Sequence, residues 1–292
     1  MKKNIVLVAF VMLTGVLYAQ EETESLETKK SNIQEYTPSK LLSKGQWDIK
    51  WFNNLYTQTK STFTDDEEPR ETFFTSTLEV FTGLSESKRV NIGVLLNMRS
   101  NVINDRNALD VFKFDGDHET ARSGITSIAP AVKIAPFKSL SNFSIQSSFR
   151  IPLIDNEVEN GVFLAQKGYT FQNRLFYDYT FTGNKFQLFT ELNTEYHFGE
   201  KEESFANDSF GITPGLFISY FPSQKSTVLA LIQHSQRLDL GNNFEQNFTA
   251  IGGGAKYQLT EKLNIEALYT NFVRGENTGL GQTFNLGLRL LF

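Results

Sequence analysis

From residue 46 to residue 292, apolar and polar side chains take turns along the chain, run after run, and this alternation decides what the chain can fold into. A period of two places successive side chains on opposite faces of a strand, so each run reads as one strand with an apolar face and a polar face. Twelve such runs can be marked: 46–59, 71–84, 89–101, 122–136, 142–155, 168–181, 185–198, 208–221, 225–238, 246–259, 262–274 and 281–292. The breaks between them sort by length. Those after even-numbered runs are tight, as at Gly183-Asn184, Ser223-Gln224 and Thr260-Glu261. Those after odd-numbered runs are longer and more polar: 60–70, 102–121, 156–167, 199–207, 239–245 and 275–280. An even strand count with short turns at one end and long loops at the other describes an antiparallel up-and-down β-barrel that crosses a membrane. A soluble sandwich has no reason to sort its connections this way.

Individual runs show which face is which. In the seventh, Phe186, Leu188, Leu192, Tyr196 and Phe198 oppose Lys185, Gln187, Glu191, Asn193, Glu195 and His197. In the third, Val90, Ile92, Val94, Leu96 and Met98 oppose Arg89, Asn91, Asn97 and Arg99; in the fifth, Phe143, Ile145, Phe149, Ile151 and Leu153 oppose Ser144, Gln146, Ser148 and Arg150. An arginine on the lipid face at mid-bilayer costs about 2–4 kcal/mol, so the charged face must line the lumen and the apolar face must meet lipid. The ninth run leaves its faces open, because Val228 to Ile232 are consecutively apolar. The chain holds 27 Phe and 10 Tyr at a mean hydropathy of only −0.30, which fits aromatics interleaved with polar residues rather than solid apolar cores. Many of these rings fall near run ends, as at Trp47, Tyr169, Tyr179, Phe181, Tyr220 and Phe221, where interfacial girdles would sit.

The N-terminus sets the compartment. Lys2 and Lys3 precede an apolar run from Ile5 to Leu17, followed by Ala19-Gln20, the layout of a secretory signal peptide at 1–19. That run is too short for a spanning helix, which needs about 20 apolar residues. Residues 20–45 are polar and aperiodic and read as a periplasmic leader, able to plug the barrel partly or to dock a partner. The barrel then occupies 46–292, with both termini periplasmic. No cysteine is present, so neither a disulfide framework nor a lipoprotein anchor is expected. The acidic balance, 28 Lys and Arg against 33 Asp and Glu, argues against nucleic acid as a partner.

The last run carries a resemblance. Asn285, Gly287, Leu290 and Phe292 resemble the C-terminal assembly signal of bacterial outer-membrane β-barrel proteins: a polar residue, a glycine, an apolar residue and a terminal aromatic. The resemblance implies insertion by the barrel-assembly machinery, with Phe292 at the periplasmic rim. It also implies contact with the lipids and lipopolysaccharide of the outer membrane of a two-membrane bacterium. The Phe- and Asn-rich strands are similar in composition to porin- and transporter-type barrels of Bacteroidota.

The inward faces supply the functional candidates. Counted from the tight turns, Arg150, Arg174 and Glu191 fall at similar mid-barrel heights on strands five to seven, with Glu195 and Arg99 higher and Glu79 lower. Charged side chains around a lumen are how pores select small solutes, so Arg99, Arg150, Arg174, Glu191 and Glu195 are the expected selectivity residues of a channel for small hydrophilic solutes. The alternative is a non-conducting structural or complex-assembly barrel whose lumen is filled by its own paired charges. Lys256, Glu266 and Arg289 look self-neutralising. No catalytic, metal or cofactor site is expected. His234 and Ser235 are adjacent on a strand and face opposite sides, Asp115, Asp117, His118 and Glu119 lack a matching second group, and Gly252 to Gly254 lie mid-strand with no helix after them.

Overall fold

The computed structural model describes residues 37–64, 66–241 and 243–292; the expected signal peptide and most of the leader lie outside the described residues. Twelve strands form one closed antiparallel barrel: β1 (Trp47–Gln58), β2 (Glu71–Gly83), β3 (Val90–Val102), β4 (Ala121–Ile134), β5 (Phe143–Pro152), β6 (Tyr169–Thr180), β7 (Phe186–Phe198), β8 (Ser209–Tyr220), β9 (Ser226–Asp239), β10 (Gln246–Gln258), β11 (Leu263–Glu276) and β12 (Gln282–Leu291). Each strand pairs with its neighbours in sequence, and β12 closes on β1 from Asp48↔Leu291 to Thr57↔Gln282. Beyond the ladder, Trp47 and Phe292 exchange backbone hydrogen bonds of 2.7 and 3.1 Å, which seals the seam and leaves no free edge.

The strands coincide with the twelve alternating runs, and the departures at their ends have local causes. β4 stops at Ile134 because Pro136 has no N–H to donate, and Arg89 takes the freed carbonyls of Ala135 and Pro136. β5 stops at Pro152, after which residues 153–168 turn back into a two-stranded loop hairpin, Val158–Glu159 against Val162–Phe163. In the tight turn between β6 and β7, Gly183 and Asn184 both adopt positive φ (90° and 56°), the conformation such turns demand.

Burial is inverted relative to a soluble protein. Trp51 and Phe284 are 50% exposed on the outer wall, whereas Asn91 and Gln146 are only 2% and 3% exposed inside. The ninth run is resolved the same way, with Val228 and Ile232 outward and Leu229 and Leu231 inward. Small residues give the inner wall its room: an added Cβ at Gly252 or Gly254 would lie 2.0–2.1 Å from the carbonyl oxygen of Tyr269 or Ala267 on β11, so neither strand could keep its present path.

Two bulges interrupt the alternation. Thr126 in β4 is unpaired between Ile125↔Met98 and Ser127↔Asn97, and Val273 in β11 is unpaired between Phe272↔Ala250 and Arg274↔Thr249. A bulge puts two residues of one strand against one of the other, so every residue beyond it changes face. Outside the wall, the loop between β3 and β4 folds back so that Val111, in the 3-10 turn Ala108–Lys113, is buried against Leu55, Phe74, Val102 and Ala121.

Candidate functional site

The lumen is built in three layers. At the short-turn end, the chain preceding β1 runs inside the barrel. Leu42 is buried against the inward Phe81, Leu95, Ala129 and Leu291. Asp178 of β6 accepts hydrogen bonds from the Thr37 and Ser39 hydroxyls, Lys133 of β4 donates its ammonium to the carbonyls of Pro38 and Lys40, and Asn91 accepts from the Leu42 amide. Three inward side chains on three strands thus hold the segment before β1 across this mouth.

Above this segment lies a cavity of about 450 Å³ whose lining includes Phe52, Phe176, Phe189 and Phe217 among polar and charged groups. The Arg174 Nε donates to Glu191 at 2.7 Å, and its Nη1 reaches Glu79 at 3.4 Å. Arg174 and Glu79 stand on β6 and β2, with three strands between them on the shorter way round, so this pair crosses the lumen. Glu79 continues to Lys50 at 3.7 Å, and Asp48 pairs with Arg289 through two bonds of 2.8 and 2.9 Å. Beside the crossing, Phe176 stacks on Phe189 at 6.0 Å and Phe189 meets Phe217 at 5.4 Å, with the Arg174 guanidinium 5.0 Å from the Phe176 ring. Phe176 is buried beneath these contacts, and the half-buried Phe189 and Phe217 are left as aromatic faces near fixed charges, a combination suited to solutes with both a ring and a polar group.

Towards the long loops, Arg150 lies 3.6 Å from Glu195, which also accepts from Gln172 at 2.8 Å and lies 3.5 Å from His197. Here the loop hairpin enters the barrel. The Asn101 amide donates to the carbonyls of Phe163 and Leu164, Arg122 donates to those of Asn156, Glu157 and Val162, and Arg99 approaches Leu164 at 3.4 Å. At the mouth, Phe205 packs edge-on against Phe163 and Phe244, with Arg237 over its ring.

All five expected selectivity residues face the lumen, but they do not form one ring. Register places Arg174 opposite Gln146 and Arg150 opposite Thr170, so Arg150 lies a full four residues nearer the long loops than Arg174. Counting from the turns treated strands as upright, and their tilt staggers equal counts to unequal heights. The five divide into Arg174 with Glu191 below and Arg150, Glu195 and Arg99 above. Lys256 pairs with Glu266 as expected, whereas Arg289 takes Asp48 instead. Sequence reasoning passed over Lys133, Asp178, Lys50 and the inward phenylalanines. Period two already placed Lys133 and Asp178 inside; their task depends on the leader, which has no period.

The remaining motifs separate. His234 binds Thr249 on the outer face at 2.9 Å, while Ser235 accepts from Thr213 inside. Asp115 pairs with Arg106 and Asp117 with Arg122, and among the described residues no cluster of three or more potential ligands is placed to hold a metal ion. In the same loop a hydrogen bond from Lys113, with Arg106 adding to it, holds the Asp110 carboxyl below the usual carboxylate range.

Comparison with solved structures places this architecture among outer-membrane barrels. An outer-membrane channel from Pseudomonas putida F1 superposes with a TM-score of 0.66 at 10% identity, covering 92% of this chain and all of that one. The β domain of the Bordetella autotransporter BrkA superposes with a TM-score of 0.55 at 12% identity, covering 85% of this chain and 99% of that one. Both likenesses are of fold. No curated protein matches the sequence. Residues 74–289 match the model of the family described as putative MetA-pathway of phenol degradation, and on a match that spans most of its length the chain belongs to that family.

Proposed function

We propose that the chain is a passive outer-membrane channel for small solutes, exported behind the signal peptide at 1–19 and inserted by the barrel-assembly machinery with its long loops outside. The observation that carries this reading is the charged inner wall around a cavity of about 450 Å³, the size of a small organic molecule. Arg99, Arg150, Arg174, Glu191 and Glu195 set the field along the path. The family description adds phenol degradation, and the half-buried Phe189 and Phe217, backed by the buried Phe176, offer ring faces to ring-bearing solutes near the Arg174–Glu191 pair. The reading assigns no catalytic residue, metal or cofactor.

A second reading, a closed structural barrel, is favoured by two features: the Arg174–Glu79 pair across the lumen and the segment held over the short-turn mouth. Single-channel recording of folded protein in planar bilayers separates the two. A channel gives discrete current steps, and they grow when residues 37–45 are deleted. A silent bilayer containing protein that is demonstrably folded, with or without those residues, supports the structural barrel and removes the channel.

A further inference from the structure

The outer wall is almost free of charge. Reading every outward position of β1 to β12 from the pairing registers, Arg274 and Glu276 are the charged residues found there, and both lie at the long-loop end of β11. Arg274 reaches the outside through the bulge at Val273. Along β11, Glu266, Leu268, Thr270 and Phe272 share the inward face, and an uninterrupted alternation would send Arg274 inward as well. The extra residue turns it out to lie opposite Thr249.

The surroundings of Arg274 are arranged rather than incidental. Its Nε donates to the Thr249 hydroxyl at 3.1 Å, and that hydroxyl lies 2.9 Å from Nδ1 of His234 on the next strand. The Thr249 hydroxyl thus ties Arg274 on β11 to His234 on β9. The terminal guanidinium nitrogens of Arg274 and the imidazole of His234 are thereby brought together on the outer face. Arg274 is exposed and, among the described residues, has no carboxylate partner within salt-bridge distance. Glu276, two residues nearer the loop, is engaged by the Asn247 amide at 3.2 Å. At ~3.4 Å per residue on a strand tilted by ~40°, Arg274 lies roughly 5 Å below the strand end, the depth of lipid headgroups.

We propose that Arg274, His234 and Thr249 form a binding site for the phosphate of an outer-leaflet glycolipid such as lipid A. A phosphate monoester offers acceptor oxygens to the guanidinium of Arg274, with the His234 imidazole beside it, and the lipid's acyl chains would lie along Ile232, Ile251 and Val273, all exposed on the wall beneath or beside the site. This inference rests on the reading that the wall sits in an outer membrane with the long loops outside.

The test uses the full mature chain folded in detergent and supplied with phosphorylated lipid A, with dephosphorylated lipid A, or with phosphatidylcholine, the bound lipid being read by native mass spectrometry. Wild-type protein should retain about tenfold or more of the phosphorylated form over the dephosphorylated one. Arg274→Gln should bring that ratio close to one, and Arg274→Lys, which keeps the charge but loses the planar fork, should fall between. Channel current should be the same in all three proteins, because the site is outside the lumen. An equal ratio in wild type and Arg274→Gln would overturn the site, as would a wild type indifferent to the phosphate, whose arginine merely reaches up to water. Displacement of the lipid by millimolar inorganic phosphate would make it a free-anion site and overturn the lipid assignment. A chain that shows no heat-dependent gel shift has failed as a barrel, a separate result that removes the membrane reading itself.

Discussion

Reversing two arginines, as Arg150→Glu with Arg174→Glu, changes the lumen charge by four units and leaves the lipid face untouched. A unit charge ~7 Å from an ion in water contributes about 0.6 kcal/mol, so four units amount to about 2.4 kcal/mol before screening. At 0.01 M salt the Debye length is about 30 Å and roughly 2 kcal/mol survives, enough to enrich cations in the lumen about 30-fold. At 1 M the length is about 3 Å and the enrichment falls below about twofold. The assay is the reversal potential across a bilayer under a salt gradient, measured at low and high salt. The change also breaks the Arg174 pairs with Glu191 and Glu79, side chains that are 13% and 11% exposed. With Arg174 itself 27% exposed, each broken pair should cost less than the ~3–5 kcal/mol of a fully buried one, and the milder Arg150→Gln with Arg174→Gln accompanies the reversal at half the charge change. A wild-type current whose selectivity ignores both doubles at low salt would refute the assignment of these residues. Loss of folding in the reversal alone would leave the neutral pair to decide.

Three further outcomes are expected. Unboiled, detergent-folded protein should migrate differently from boiled protein on SDS gels, because the β12–β1 seam leaves no edge at which to unzip; equal migration would contradict a closed barrel. Deleting Phe292, which removes its backbone pair with Trp47, or Phe292→Asp, which puts a carboxylate where the exposed ring stands, should lower the amount reaching the outer membrane and expose the chain to periplasmic proteases; unchanged levels in fractionated membranes would mean this residue is dispensable. Asp178→Ala should free the Thr37 and Ser39 hydroxyls, raise the mean current and make the segment before β1 more sensitive to protease, whereas unaltered current and cleavage would leave that carboxylate without a part in closing the mouth.

Strand number, order and facing were legible in the chain because in a barrel each depends on one short-range variable. Alternation is imposed locally by lipid on one side and water on the other, and a residue such as Glu191 or Phe186 reveals its face without knowledge of any partner. Heights were not legible. That Arg150 joins Glu195, and Arg174 joins Glu191 and Glu79, depends on the stagger between tilted strands, and no single strand encodes it. Bulges are the other blind spot. Thr126 and Val273 resemble any other strand residue, yet each flips the facing of all residues beyond it in its strand. Arg274 therefore reads as a lumen cation in the sequence and stands on the outer wall in the fold.

The segment before β1 shows why an aperiodic, polar stretch can still have a defined place. Its side chains bury little apolar surface apart from Leu42, so hydrophobic burial alone would not offset the ordering of about nine residues at ~1–2 kcal/mol each. It is held by the set of buried polar groups already fixed on the inner wall. Lys133, Asp178 and Asn91 are 6%, 4% and 2% exposed, and the segment takes the place that water would otherwise hold on each of them. The barrel thus supplies a charged lining at its short-turn end, and the segment supplies hydroxyls and carbonyls that match it. Bonds to charged groups are worth about 1.5–3 kcal/mol each in a setting partly screened from water, so the four to Asp178 and Lys133 offset much of the ordering cost without exceeding it. A balance of that kind is reversible. Water admitted to the cavity competes for the same groups, and a solute entering from the long-loop side would meet a closure that yields at a cost of a few bonds.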